Sequence, residues 1–203
     1  MHFSFAKTIS ILALALSLGA CQSMSSQKPI HPNVPILSDG NTSSVSEAKQ
    51  NFQLQGKIGV RTPQQSGSAF YTWVQEKDNF EIELSGILGV GRTFIQGQKY
   101  GQVSLESAKT GTITADSPEE LLKRATGWST PITHLMDWVQ AQPATSSAIV
   151  KTDAEQRIAE IEEDGWQVKL SYNQNNLLPN HLVLTQALGE GKENRITLII
   201  QNR

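Results

Sequence analysis

Residues 80–91 read Phe80-Glu81-Ile82-Glu83-Leu84-Ser85-Gly86-Ile87-Leu88-Gly89-Val90-Gly91. The first half alternates. Phe80, Ile82 and Leu84 fall on one face and Glu81, Glu83 and Ser85 on the other, the two-residue period of a strand with one side buried and one side wet. The second half is bounded by glycines, where a turn predicts polar residues, yet it carries Ile87 and Leu88. Thr93 and Ile95 then resume the strand pattern, which places an apolar pair near a hairpin tip.

Similar strand patterns extend in both directions. Upstream, Phe52, Leu54, Ile58 and Val60 alternate with Gln53, Gln55, Lys57 and Arg61, and Thr62-Pro63 and Ser66-Gly67 mark a turn. In 68–75, Phe70 and Val74 oppose Tyr71 and Trp73, so both faces look partly covered. Downstream, 93–98, 103–107 and 112–115 are short strands at short spacing, which predicts an antiparallel meander rather than crossover units. After a helical interruption, 158–163 and 166–172 flank Asp164-Gly165, a two-residue hairpin turn. Segments 181–185 and 196–201 close the chain.

The interruption predicts two helices. Asp116-Ser117-Pro118-Glu119-Glu120 supplies a cap, a proline for the first turn and two carboxylates where the helix dipole favours them. Leu121, Leu122 and Ala125 form its apolar stripe, and Gly127 ends it. Beyond Pro131, Ile132, Leu135, Met136 and Val139 follow the i, i+3, i+4, i+7 spacing of one apolar face. The whole predicts a mainly β fold, a one-sided antiparallel sheet of nine or ten strands with two short helices over its apolar face. Two such helices are small for that sheet. Either the sheet curls on itself or a hollow remains beneath them.

The N-terminal part is of another kind. Lys7 precedes an uncharged run from Ile9 to Ala20. As a helix it reaches about 18 Å, short of a hydrocarbon core of about 30 Å, and fits a secretory leader at 1–20. The run ends Leu18-Gly19-Ala20-Cys21, similar to the lipobox of bacterial lipoproteins, which implies lipidation of Cys21. A plain leader cut near Ala20 is the other reading. Cys21 is the only cysteine, so no internal disulfide holds the fold together. Residues 21–45 are rich in Ser, Asn, Gln and Pro and read as a flexible tether spanning roughly 25–30 Å. The folded domain is expected over 46–203. Gln22, where an aspartate usually signals inner-membrane retention in such lipoproteins, points to the outer membrane by the same resemblance.

Recognisable catalytic or cofactor chemistry is missing from the sequence. The net charge of −2 argues against a nucleic-acid partner. No Gly-x-Ser-x-Gly elbow, Ser-x-x-Lys pair or Walker loop occurs, and Gly89-Val90-Gly91 lacks a third glycine and a following helix. His134 and His181 have no cysteine or spaced carboxylate beside them, so no metal, cofactor or catalytic residue is assigned. Glu119-Glu120 reads as helix capping and Glu162-Glu163 as a solvated strand end.

Several pieces, in order along the chain, resemble the LolB family of outer-membrane lipoprotein receptors. They are Phe52-x-Leu-x-Gly-Lys-Ile-Gly-Val, Ser68-Ala-x-x-x-Trp73, Gly86-Ile-Leu-Gly89, Ala115-Asp-Ser-Pro-Glu-Glu-Leu121, Thr126-Gly-Trp128, Pro131 through Trp138-Val139, and Gly165-Trp166. Ile87 stands where the family often has proline. The resemblance implies a curved sheet forming a half-open barrel with a helical lid over a hydrophobic cavity. It also implies that the protein accepts acylated lipoproteins from a periplasmic LolA-like carrier and inserts them into the outer membrane, without nucleotide. Leu88, beside Ile87, corresponds to the family's protruding leucine. Phe80, Ile82, Leu84, Ile132, Leu135, Met136, Val139 and Trp166 are the expected cavity and lid residues. The chain is expected to act as a monomer facing the periplasm.

From the residues alone, the helix stripe fits ordinary core as well as a cavity wall, and Leu88 fits a residue folded back on the sheet as well as one that projects. Two other functions compete with cargo insertion: an assembly lipoprotein whose apolar loop docks a protein partner, and an anchored enzyme.

Overall fold

The computed structural model describes residues 51–86, 91–127 and 129–203. The expected leader, Cys21 and tether, the tip residues Ile87 and Leu88, and Trp128 lie outside the described residues.

Eleven strands form one antiparallel sheet. The first run is β1 (Asn51–Arg61), β2 (Ser66–Glu76), β3 (Asn79–Ser85), β4 (Thr93–Gln98), β5 (Val103–Ser107) and β6 (Gly111–Ala115). Helices α1 (Pro118–Thr126) and α2 (Ile132–Trp138) follow. The second run is β7 (Ile149–Thr152), β8 (Ile158–Glu163), β9 (Trp166–Ser171), β10 (His181–Gly189) and β11 (Lys192–Asn202). The spatial order is β6-β5-β4-β3-β2-β1-β11-β10-β9-β8-β7, so β1 pairs with β11 and the two meanders join at the centre. Edge strands β6 and β7 do not pair with each other, which leaves the barrel half open.

The period-2 pattern sets the inner face. Leu54 on β1, Tyr71 and Trp73 on β2, Phe80 on β3 and Ile95 on β4 are buried, while Gln53, Gln55 and Glu81 face water. On β2 the sequence left the face open; Phe70 points outward, beneath the Lys57 ammonium. In the second run, Val168 and Leu170 on β9, Leu182 and Leu184 on β10, and Ile196, Leu198 and Ile200 on β11 face in. Burying each such side chain contributes about 1.5–3 kcal/mol.

The first helix forms as its sequence dictates. Ser117 Oγ accepts from the Glu120 amide, Glu120 Oε2 accepts from the Asp116 amide, and Gly127 at φ 82° closes the helix by donating to the Lys123 carbonyl. Glu119 does something else. Its Oε1 accepts from the Thr133 amide at 2.9 Å and the Thr133 hydroxyl at 2.8 Å, capping α2, whose own N-cap, Pro131, offers no side-chain acceptor.

Candidate functional site

The two helices do not fill the space under the sheet evenly. On the β8–β11 side the interior is closed. Trp138, Val139, Ile161, Val168, Leu182 and Leu184 are fully buried, and Met136 and Trp166 nearly so. On the β1–β4 side a partly open cavity of about 360 Å³ remains. Its sheet wall is Ile58, Val60, Ala69, Ile82, Leu84, Ile95 and Ile196, and its lid wall is Leu122 and Thr126 of α1, Thr130, and Ile132 and Leu135 of α2.

Of the residues expected there, Ile82, Leu84, Ile132 and Leu135 meet around this cavity. Phe80, Met136, Val139 and Trp166 belong to the filled core and do not line it. Ile58, Val60 and Leu122 also form the wall; their apolar periodicity was visible, but nothing in it marked the region left unfilled. Gln65, Ser66, Gly67 and Ser68, at the β1–β2 turn, give the cavity a polar rim at one end. Leu84, on the cavity wall, is three residues ahead of Ile87 in the chain.

Polar contacts fasten α2 from several sides. Lys99 Nζ, in the β4–β5 turn, reaches Asp137 Oδ2 at 2.8 Å. Burial works against the Lys99 charge, but Asp137 outweighs it and the ammonium titrates above its ordinary value. Trp138 Nε1 donates to Glu163 Oε2 at 2.7 Å, and the Ala144 and Thr145 amides donate to the same carboxylate. Burial raises the Glu163 carboxyl's proton affinity. These donors more than offset it, so the group ionises below the usual carboxylate range. Glu163 is therefore not the solvated strand end its sequence suggests; it is 5% exposed and anchors the α2–β7 connection. Glu162 keeps the expected surface role, 3.4 Å from Lys151. At the far end of α2, Arg203 Nη2 donates to the Val139 carbonyl at 2.7 Å.

A second hollow, about 540 Å³, lies over β3–β6 and is lined largely by polar residues, among them Gln96, Gln98, Gln102, Ser104 and Thr114. Its chemistry suits water rather than alkyl chains. Among the described residues no helix is long and apolar enough to cross a membrane.

An open antiparallel sheet, lidded by two short helices over an aliphatic hollow, defines the class: a half-open β-barrel with a helical lid. Residues 50–202 match the family model described as outer membrane lipoprotein LolB. The chain is 37% identical over 209 residues to an outer-membrane lipoprotein LolB of Stutzerimonas stutzeri, covering 98% of this chain and 96% of the relative. It is 34% identical to one from Pseudomonas savastanoi over 98% and 96% of the two chains, and 41% identical to one from Pseudomonas paraeruginosa over 74% and 73%. The chain belongs to the LolB family of outer-membrane lipoproteins.

Proposed function

We propose that this protein accepts the acyl anchor of a lipoprotein from a periplasmic carrier into the cavity between β1–β4 and the helices, then releases it to the inner leaflet of the outer membrane. Cys21 carries the lipid that tethers the receptor there, and Ile87 and Leu88 meet the bilayer. The reading rests on one observation above all: a partly open hollow walled by aliphatic side chains in an otherwise well-packed interior.

The energetics favour such a device. Each acyl CH₂ left in water costs about 0.8 kcal/mol, so lipidated cargo needs shelter across an aqueous space. At about 360 Å³ the hollow lies at the small end of ligand-sized pockets, which span about 300–1,000 Å³. Its wall is branched aliphatic, with few polar groups to hold cargo tightly, which suits onward transfer. Without nucleotide, transfer requires only that free energy fall from carrier to receptor to bilayer.

The test uses the full chain with Cys21→Ala and a periplasmic carrier loaded with acylated lipoprotein. Transfer of acylated but not deacylated cargo is the expected result. Equal capture of both forms would favour the assembly-lipoprotein alternative.

A further inference from the structure

Thr130 stands between the two lid helices and is 3% exposed. It belongs to the wall of the aliphatic cavity, yet its Oγ1 has no hydrogen-bond partner. Its backbone carbonyl accepts from the Ile132 amide at 2.9 Å. A buried hydroxyl left without a partner is costly, and most such groups are satisfied in folded proteins. Nearby Thr126 shows the usual solution, its hydroxyl donating to the Leu122 carbonyl at 2.8 Å.

Beyond the polar rim at Gln65, Ser66 and Ser68, and the Thr126 hydroxyl already bonded to Leu122, the cavity presents aliphatic side chains such as Ile58, Ile82, Leu84 and Ile132, which cannot distinguish one alkyl chain from another. An acylated lipoprotein also carries carbonyl groups where its chains join glycerol and the cysteine nitrogen. Such a carbonyl is an acceptor without a proton to donate, the complement of a hydroxyl seeking an acceptor. Thr130 Oγ1 is shielded from solvent. A rotation about χ1 exchanges hydroxyl and methyl, and threonine populates more than one χ1 well readily.

We infer that Thr130 is the polar reader of the cavity, donating from Oγ1 to an acyl carbonyl of the bound anchor and so favouring ester- or amide-linked chains over ether-linked ones. This rests on the acyl-acceptor reading above and adds to it a specificity that aliphatic walls alone do not supply.

The test compares two fluorescent probes of equal chain length, a diacyl glycerolipid and its dialkyl-ether analogue, binding to the full chain with Cys21→Ala. The wild-type cavity is expected to prefer the ester by about three- to tenfold, the value of one net hydrogen bond. Thr130→Val should bring that ratio to one by weakening ester binding alone, and raise the melting temperature because the unpartnered hydroxyl is gone. Thr130→Ser should retain the preference, and Thr130→Ala should lose it, which guards against a fault peculiar to valine. An ester-to-ether ratio unchanged in Thr130→Val, with both probes bound, overturns the inference and leaves the acyl reading standing. Failure of wild type to bind either probe overturns both.

Discussion

Trp138 and Glu163 meet inside the protein, the indole Nε1 of the lid helix 2.7 Å from a carboxylate oxygen at the end of β8. Both residues are buried, and the Ala144 and Thr145 amides share the carboxylate. Glu163→Gln places an amide N–H₂ among donors, and Glu163→Ala leaves three N–H groups without an acceptor. A loss of about 2–4 kcal/mol is expected in urea unfolding. Because the folded carboxyl ionises below its unfolded value, its contribution is present above about pH 4.3 and lost as pH falls through the depressed folded pKa. The stability difference between wild type and Glu163→Gln should therefore shrink towards pH 3. A difference constant from pH 7 to pH 3 would contradict the role assigned to the ionised form.

Lys99 and Asp137 tie the β4–β5 turn to α2 with side chains only 13% and 29% exposed. Lys99→Met should cost about 1 kcal/mol at neutral pH and speed amide exchange in α2 more than in β9. The sign with pH is opposite to that of Glu163. A raised lysine pKa stabilises the fold below the unfolded value and is lost as pH rises through the folded one, so the wild-type advantage should fade only above about pH 10.4. A double-mutant cycle with Asp137→Asn that returns no coupling would show the pair to be incidental.

Which residues point inward was readable from the sequence wherever one face alternates, as in 80–85 and 166–171. What the period does not encode is where the interior runs out of side chains. Phe80, Met136, Val139 and Trp166 carry the same inward signal as Ile82, Leu84, Ile132 and Leu135, and only packing separates core from cavity wall. Strand β7 carries no sequence signal, because all four of its residues are exposed and its pairing with β8 slips between Lys151 and Thr152, so no alternation marks it. Glu163 is concealed from sequence reading for a related reason. A carboxylate at a strand end reads as solvated until the amides of a distant loop are seen to close on it.

Gly56 marks the closest approach in the central β1–β11 pairing. A Cβ there would fall on the Ile199 carbonyl oxygen, which accepts the Tyr71 hydroxyl at 3.3 Å, and would crowd that hydroxyl as well. Gly56→Ala should cost about 3 kcal/mol or more in urea unfolding, since backbone must move. Gly59, on the same strand, is the control. A Cβ at Gly59 meets nothing within 4 Å, so Gly59→Ala should be neutral or slightly stabilising. Equal effects of the two would mean that strand propensity, not the close approach, decides.

For the apolar tip, the expectation comes from the sequence and the proposed function together. Leu88→Glu should leave the unfolding free energy within about 0.5 kcal/mol of wild type, because the proposed role puts Leu88 outside the core. Cargo acceptance from the carrier should persist while delivery to vesicles fails, since a carboxylate resists entry into hydrocarbon. A large loss of stability would instead place Leu88 inside the protein, and unimpaired delivery would remove the tip from the mechanism.

Filling the hollow separates binding from folding. Leu84 is half-buried on the cavity wall, and Leu84→Trp adds bulk into empty space rather than into packed neighbours. Affinity for a fluorescent long-chain acyl probe should drop by tenfold or more, with unfolding free energy changed by less than about 1.5 kcal/mol. Met136→Leu makes the opposite comparison, a volume-conserving swap in the filled core that should leave probe binding unchanged. Leu121→Ala, at a lid position 1% exposed and outside the cavity wall, should cost about 2–5 kcal/mol of stability. If Leu84→Trp and Met136→Leu weakened the probe equally, the acyl chain would have to lie elsewhere, because only one of the two changes the space between β1–β4 and the lid.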